Sequence, residues 1–278
     1  LMQDPHLYMK IGNGDEFDIA DKIPGVHYLG DDATPVNTNQ FNQIAGVDGA
    51  SFVYKTINNY QVPAKFYFTF RDYQDYKLIK HQINRLFATR ELIRIRTDTE
   101  KSIVRFVVAN LPTIAPMEEA YSHWATFTEN FDNPSGYRYS LYRSDADNIA
   151  EKSQFEMGIP SGKKLSYHFT TPEFDVFNAG DIAVDPYFEK HDLQIKIKFN
   201  GNSLKLENTD NNSVYTYTNP ATSNDTIILD GITTTLNGQP ASNNTDYGNL
   251  TLEPGWNHIK ATGASNLDIT FSFPFVYI

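Results

Sequence analysis

Alternation of apolar and polar residues recurs along most of the chain. Phe52-Val-Tyr-Lys-Thr-Ile57 and Val62-Pro-Ala-Lys-Phe66-Tyr-Phe68-Thr-Phe70 read as strands on either side of a polar turn at Asn58-Asn59. In Leu92-Ile-Arg-Ile-Arg96 the isoleucines at 93 and 95 alternate with Arg94 and Arg96. A period of two is what a half-buried strand with a cationic outer face requires. Ser102–Val108 and Ser122–Thr128 extend the set. One segment departs from this period. From about residue 72 to 88, Tyr76, Ile79, Ile83, Leu86 and Phe87 recur at helical spacing, with Lys77, Lys80 and Arg85 off that face. Asp72 is a good N-cap for this helix, and Asp75 lies in the first turn, where the helix dipole favours a negative charge.

Helical spacing does not return in the second half. Residues 144–170 carry the turn-rich stretches Ser144-Asp-Ala-Asp147-Asn148 and Gly158-Ile-Pro160-Ser-Gly162-Lys-Lys164 and read as a linker. Beyond it, Leu193–Phe199 and Leu204-Lys-Leu206 flank Asn200-Gly201, the pattern of a β-hairpin with a two-residue turn. Val214–Tyr217 and Asp225–Leu229 are short strands, and a second Asn-Gly follows at Asn237-Gly238. Near the end, Pro254-Gly255 separates two alternating runs, which predicts a hairpin closing the domain. The expected fold is mainly β. Residues 1–143 form a barrel- or sandwich-like β-domain with one helix, and residues 171–278 form a jelly-roll β-sandwich.

Composition narrows the function classes. The 278 residues are 40% hydrophobic and include 17 Tyr and 19 Phe, a bias towards sheet in a globular chain. No apolar run approaches the ~20 residues of a membrane span. The first six residues have neither the basic flank nor the apolar stretch of a secretory leader, and do not read as an ordinary start. With no cysteine, disulfides, thiolate metal sites and a cysteine nucleophile are excluded, as expected of a soluble protein made in a reducing cytoplasm. Residues 1–143 hold 15 basic and 17 acidic side chains, while residues 144–278 hold 8 and 17, so nearly all of the net charge of −11 lies in the second half. Such a surface repels phosphate backbones, and sequence-specific nucleic-acid binding is not expected.

Searches for chemistry return little. The seven histidines form neither H-x-H nor H-E-x-x-H. Asp145-x-Asp147 with Glu156 at the twelfth place half-imitates a calcium loop, but Ile149 and Ala150 stand where a ligand and the turn glycine belong. Phosphate-loop, dinucleotide and nucleophile-elbow motifs are missing. The adjacent acids Asp31-Asp32 and Glu118-Glu119 point apart on extended backbone, which does not suit a glycosidase. Trp124 and Trp256 read as packing residues. No catalytic residue, cofactor or metal is expected.

Three passages carry a resemblance. Gly46-Val-Asp48-Gly49-Ala-Ser51 is similar to a glycine loop of phage tail proteins. Trp124-Ala-Thr-Phe127-Thr-Glu-Asn-Phe131-Asp-Asn-Pro134-Ser-Gly136-Tyr137-Arg-Tyr-Ser140 is similar to their strand ending in F-x-N-P-x-x-Y-x-x-S. Phe174-Asp-Val-Phe177-Asn178-Ala-Gly180-Asp-Ile-Ala-Val-Asp-Pro186 resembles the entry into their second domain, and Pro254-Gly255-x-Asn257 their C-terminal signature. In this order, with the helix between the first two, they resemble the siphophage distal tail protein family. The resemblance implies a ring-forming N-terminal domain and a galectin-like C-terminal one. It implies a structural, non-enzymatic role as the hub of the tail tip or baseplate in the virion, assembled in the host cytoplasm. The implied partners are further copies in a hexameric ring, the tail tube protein, a tail-associated protein and receptor-binding proteins. Asp48, Gly49, Pro134, Gly136, Asn178, Gly180, Pro186, Pro254, Gly255 and Asn257 are then turn-setting residues. Arg85, Arg90, Arg94, Arg96 and Arg105, interleaved with Glu91, Asp98 and Glu100, read either as a solvated face or, given the resemblance, as the candidate subunit interface where arginines meet a neighbour's carboxylates. Galectin sugar sites resemble H-x-N-x-R and W-x-x-E-x-R. Neither survives around His191 or Trp256, so the C-terminal domain is expected to dock proteins. The alternative reading is a free-standing carbohydrate-binding β-sandwich module.

Overall fold

The computed structural model describes residues 5–115, 122–152 and 165–278. The chain divides into two compact units, Leu1–Arg138 with Ile278, and Tyr139–Tyr277. Antiparallel sheet dominates both.

In the first unit, β1 (Leu7–Ile11), β2 (Phe17–Asp18) and the short helix α1 (Ile19–Lys22) lead to β3 (Val26–Asp31). Next come β4 (Val36–Asn42), β5 (Ser51–Asn58) and β6 (Tyr60–Thr69). Helix α2 (Tyr73–Phe87) is followed by β7 (Ile93–Thr97), β8 (Ile103–Val107) and β9 (Trp124–Asn133). One sheet is ordered β8-β7-β1-β2 and a second β3-β6-β9, while β4 and β5 pair only with each other. The Asn58-Asn59 turn therefore does not close a hairpin. β5 turns back onto β4, and β6 joins β3 and β9. Pro63, which cannot donate a ladder hydrogen bond, falls just before Ala64, the first residue of β6 paired with β3.

Helix α2 starts where Asp72 accepts a hydrogen bond from the Asp75 backbone N–H at 2.8 Å, with Asp75 near the positive end of the dipole. Its buried face, Tyr76, Ile79, Ile83 and Phe87, meets the inward residues of β6 and β9. Phe66 stacks on Phe127 with centroids 4.9 Å apart, Phe68 on Tyr76 at 5.9 Å, and Phe87 meets Phe131 edge-on at 5.7 Å. Each such ring removed from water contributes roughly 1.5–3 kcal/mol, so this aromatic stack is the main fastening of the helix.

Strand β10 (Arg138–Ser140) lies at the division between the units, and the second continues with α3 (Ile149–Lys152), β11 (His168–Phe169) and β12 (Glu173–Asn178). Then come β13 (Gln194–Asn208), β14 (Ser213–Tyr217), β15 (Ile227–Asp230), β16 (Thr233–Leu236), β17 (Gln239–Pro240), β18 (Gly255–Ser272) and β19 (Val276–Tyr277). The two long strands β13 and β18 pair along most of their length and carry the rest of the sheet. The first half of β13 also pairs with β15 and its second half with β14, while β18 takes β12 at one end and β11 at the other.

Two expected hairpins are thereby corrected. Asn200-Gly201 is not a turn, because β13 runs straight through it with register slips between Lys198 and Asn200 and between Gly201 and Lys205. Pro254-Gly255 does not join two strands of a hairpin either; it opens the 18-residue β18. Asn237-Gly238 is a true two-residue turn. Leu236 pairs with Gln239, and both turn residues have positive φ, 51° and 80°, as the twist of a tight hairpin demands. Within the expected linker, Ser144 is buried and donates to the Phe271 carbonyl at 3.1 Å, while Gly158–Lys164 lies outside the described residues.

Candidate interaction surfaces

Two surfaces stand out among the described residues. The hairpin β4–β5 is the most exposed. All of β4, the loop 43–50 and β5 as far as Thr56 are exposed, including Val36, Phe41, Ile44, Val47, Phe52, Val53 and Tyr54. Phe41 and Phe52 meet edge-on at 6.0 Å, and Asn58 donates to the Thr38 hydroxyl at 2.6 Å, so the arm is held together from within. Asp48 and Gly49 lie in its loop; Gly49 has φ +84°. A second surface is a groove of about 1000 Å³ beside the outer side of α2 and the adjoining ends of β6 and β9. Leu29, Phe70, Leu78 and Trp124 line it, and Leu29, Leu78 and Trp124 are exposed. Arg71 and Asp75 stand on its edge, 3.5 Å apart.

Of the five arginines, three are engaged within the chain. Glu16 receives both Arg94, at 2.8 Å, and Arg96, whose guanidinium also lies 4.2 Å from the Tyr8 ring. Hydrogen bonds from Arg96 and then from Arg94 hold the Glu16 carboxyl below the usual carboxylate range, although partial burial opposes them. Arg105 lies 3.8 Å from both Asp31 and Glu100. Arg85 and Arg90 are exposed.

The turn-setting residues of the second unit converge on a buried amide network. Asn257 accepts hydrogen bonds from Asn208 Nδ2 at 2.9 Å and from the Glu253 N–H at 2.8 Å, and donates back to the Glu253 carbonyl at 2.8 Å. Asn178 donates to the Ile182 and Leu252 carbonyls at 3.0 and 3.1 Å and accepts from the Gly180 N–H at 2.9 Å. Asn208, at the end of β13, gave no motif signal in sequence. At Gly180 a Cβ would stand 2.5 Å from the Val276 carbonyl oxygen, which explains the glycine by close approach and not by φ. Gly136 has φ +73° and abuts the Asn58 carbonyl, while Pro134 and Pro254 are exposed and Pro186 is buried.

The histidines serve local structure. His6 meets Asp18 at 2.5 Å, His168 meets Asp268 at 3.0 Å and His258 meets Asp175 at 2.8 Å. His27 stacks on Tyr67, His123 reaches the Phe70 carbonyl, His191 is buried against the Ala183 carbonyl, and His81 is exposed on α2. Asp145 accepts from Ser272 Oγ at 2.5 Å; Glu156 and Glu118-Glu119 lie outside the described residues. No group of three metal-ligating side chains is found among the described residues, and no described helix is long and apolar enough to cross a membrane. Trp256, His258 and Lys260 alternate along β18 towards solvent, opposite Phe177, Asp175 and Glu173 of β12.

Residues 12–132 match the sequence model of a family described as the phage tail protein RIFT-related domain. No curated protein sequence matches the chain. Among solved structures it is similar to the SPP1 Dit (gp 19.1) protein, described as a paradigm of the hub adsorption apparatus in phages infecting Gram-positive bacteria. That likeness has a TM-score of 0.67 at 15% identity, over 97% of this chain and 99% of the other. A chain of the phage p2 baseplate, in its activated conformation with strontium, aligns over 98% of each chain at 12% identity with a TM-score of 0.46. Residues 12–132 are thus similar to the phage tail protein RIFT-related domain, and the chain as a whole shares the fold of the SPP1 Dit protein.

Proposed function

We propose that the chain is a structural, non-enzymatic hub subunit of a phage tail tip. Six copies close into a ring that joins the tail tube to the tail-associated and receptor-binding proteins. The C-terminal domain, about residues 171–278 and galectin-like, serves as a docking surface. The observation that carries this reading is the β4–β5 arm, which lies inside the RIFT-related domain, pairs with no other described strand and is exposed from Val36 to Thr56. A lone two-stranded hairpin is marginal in water, and one bearing this many exposed apolar side chains is stabilised by a neighbour. A surface that meets a different surface on the next copy makes a heterologous contact, and such contacts form rings when their rotation closes. The surplus of acidic side chains in the second half suits polar protein docking and disfavours a phosphate backbone.

Light scattering across a concentration series, with negative-stain imaging of the purified chain and of tail tips, tests the ring. Annular particles of uniform copy number are expected. A strict monomer at every concentration, together with tail tips lacking a ring of this chain, overturns the reading.

A further inference from the structure

We infer that the β4–β5 arm of one copy seats its tip in the groove beside α2 of the next copy. The inference rests on the ring reading and assigns its contact to named residues. Both surfaces belong to the first unit but stand towards opposite ends of the sheet β3-β6-β9. The arm leaves between Asp31, at the end of β3, and Tyr60, at the start of β6. The groove gathers around Gly25, before β3, Phe70, after β6, and Trp124, at the start of β9. Along β6 the arm joins at Tyr60 while the groove takes Tyr67 and Thr69, roughly 25 Å further on, and Leu29 of β3 lines its near side. Its exposure shows that the arm does not fold back over its own sheet. Two unfilled apolar surfaces with this separation satisfy each other between copies, head to tail.

Chemistry agrees with geometry. Between Val36 and Asn58 the arm carries only two charges, Asp48 and Lys55. Burying its Phe41, Ile44, Val47 and Phe52 therefore strips few ions of water. The groove is apolar at its floor, through Leu29, Phe70, Leu78 and Trp124, and its edge offers Arg71 and Asp75, one partner of each sign for the arm's two charges. Arg71 is 90% exposed, so it can exchange its 3.5 Å contact with Asp75 for an incoming carboxylate.

The test uses the full chain in two variants, Phe41→Asp with Phe52→Asp in the arm and Leu78→Asp in the groove. All three side chains are exposed, so unchanged unfolding midpoints verify folding. In sedimentation experiments each variant is expected to weaken association by roughly thirty-fold or more, the loss typical of an interface hot spot. Mixing the two restores association but stops it at dimers, because only one arm–groove pair per dimer remains intact. Since the chain has no cysteine, Val47→Cys in one copy and Leu78→Cys in another should give an oxidised cross-link in the mixture and in neither variant alone. A wild-type oligomer that both Asp variants leave unchanged overturns the arm–groove contact while the ring reading stands. Cross-linking of Val47→Cys to itself makes the contact symmetric and also overturns it. A wild-type monomer at every concentration, with no mixed cross-link, removes both.

Discussion

Glu129 lies directly opposite Ala64 in the β6–β9 ladder, on the core side of β9 between Phe127 and Phe131. One carboxyl oxygen accepts the Asn110 backbone N–H at 2.6 Å; the other, Oε2, has no hydrogen-bond partner among the described residues. Burial pushes its pKa up to about 7, with nearby Asp132 raising it further and the Asn110 N–H acting against them. A carboxyl group whose folded pKa exceeds its unfolded value binds its proton more tightly in the native state. Its stability contribution is therefore full below about pH 4.5 and is lost as pH rises through about 7. Glu129→Gln, which mimics the protonated form, is expected to be more stable than wild type at pH 9, on the order of 2–3 kcal/mol, and nearly equal to it at pH 4. Urea titrations of both proteins at pH 4, 7 and 9 check this, and a difference that does not change with pH refutes it.

Glu16 should behave in the opposite sense. Arg96 and Arg94 hold its pKa down, so its contribution is present above about pH 4.5 and is lost as pH falls through the lowered folded value. Glu16→Gln leaves two part-buried guanidinium groups without their carboxylate and should cost about 1–2 kcal/mol at pH 7. The deficit should shrink on acidification towards pH 2. If the variant instead loses oligomer without losing stability, Arg94 and Arg96 act at a subunit boundary and not within the fold.

These two carboxylates show where sequence was informative. The helix was legible because Asp72, Asp75 and the Tyr76–Phe87 spacing all agree on one local structure. The cationic strand Leu92–Arg96 was legible in its period, but its partner Glu16 lies about eighty positions away, and no local rule links them. Asn200-Gly201 and Asn237-Gly238 carry the same dipeptide with different outcomes. Around Asn200, Ile197, Phe199, Leu204 and Leu206 all reach the core by staying in one strand along β18, and tertiary burial overrides the turn preference. Asn237 has only four-residue β16 and two-residue β17 on either side, so the local preference prevails. Glu129 was hidden because an acid inside an apolar alternation reads as a register break until the strand is seen. Trp256, His258 and Lys260 fail as a sugar motif in linear spacing, yet the strand's period of two sets them on one side.

The arm can be probed without reference to any partner. Gly46 and Gly49 both hold positive φ in its loop, at 82° and 84°, with open space where a Cβ would stand. Replacing either with Val forces a β-branched residue into the left-handed region, at a cost of about 1–2 kcal/mol confined to the hairpin tip. Limited proteolysis should then cut faster within residues 43–50, while the global unfolding midpoint stays put because no core residue moves. A lowered midpoint would mean that the arm is part of the cooperative core.

In the second unit, Asn257 is the residue whose loss should propagate furthest. Its side chain ties the end of β13 through Asn208, the approach to β18 through Glu253, and the Val176 carbonyl of β12, 3.4 Å away. Asn257→Ala removes one acceptor of the buried Asn208 amide, which keeps the Thr251 carbonyl, and leaves the part-buried Glu253 N–H and carbonyl without their partner. Each unsatisfied group costs about 1–3 kcal/mol, so a combined loss of roughly 3 kcal/mol or more is expected. Asn257→Asp keeps the shape and the two accepted bonds but aims a carboxylate at the Glu253 and Gly255 carbonyls, which Nδ2 reached at 2.8 and 3.2 Å. That variant should be destabilised at pH 8 and partly restored at pH 4, where the protonated acid can donate to a carbonyl again. Chemical denaturation followed by Trp256 fluorescence, with Trp124 replaced by Phe to isolate the signal, reads the second unit directly. Equal stability of Asn257→Ala and wild type would show that water replaces the amide and that the network does not fasten the strands.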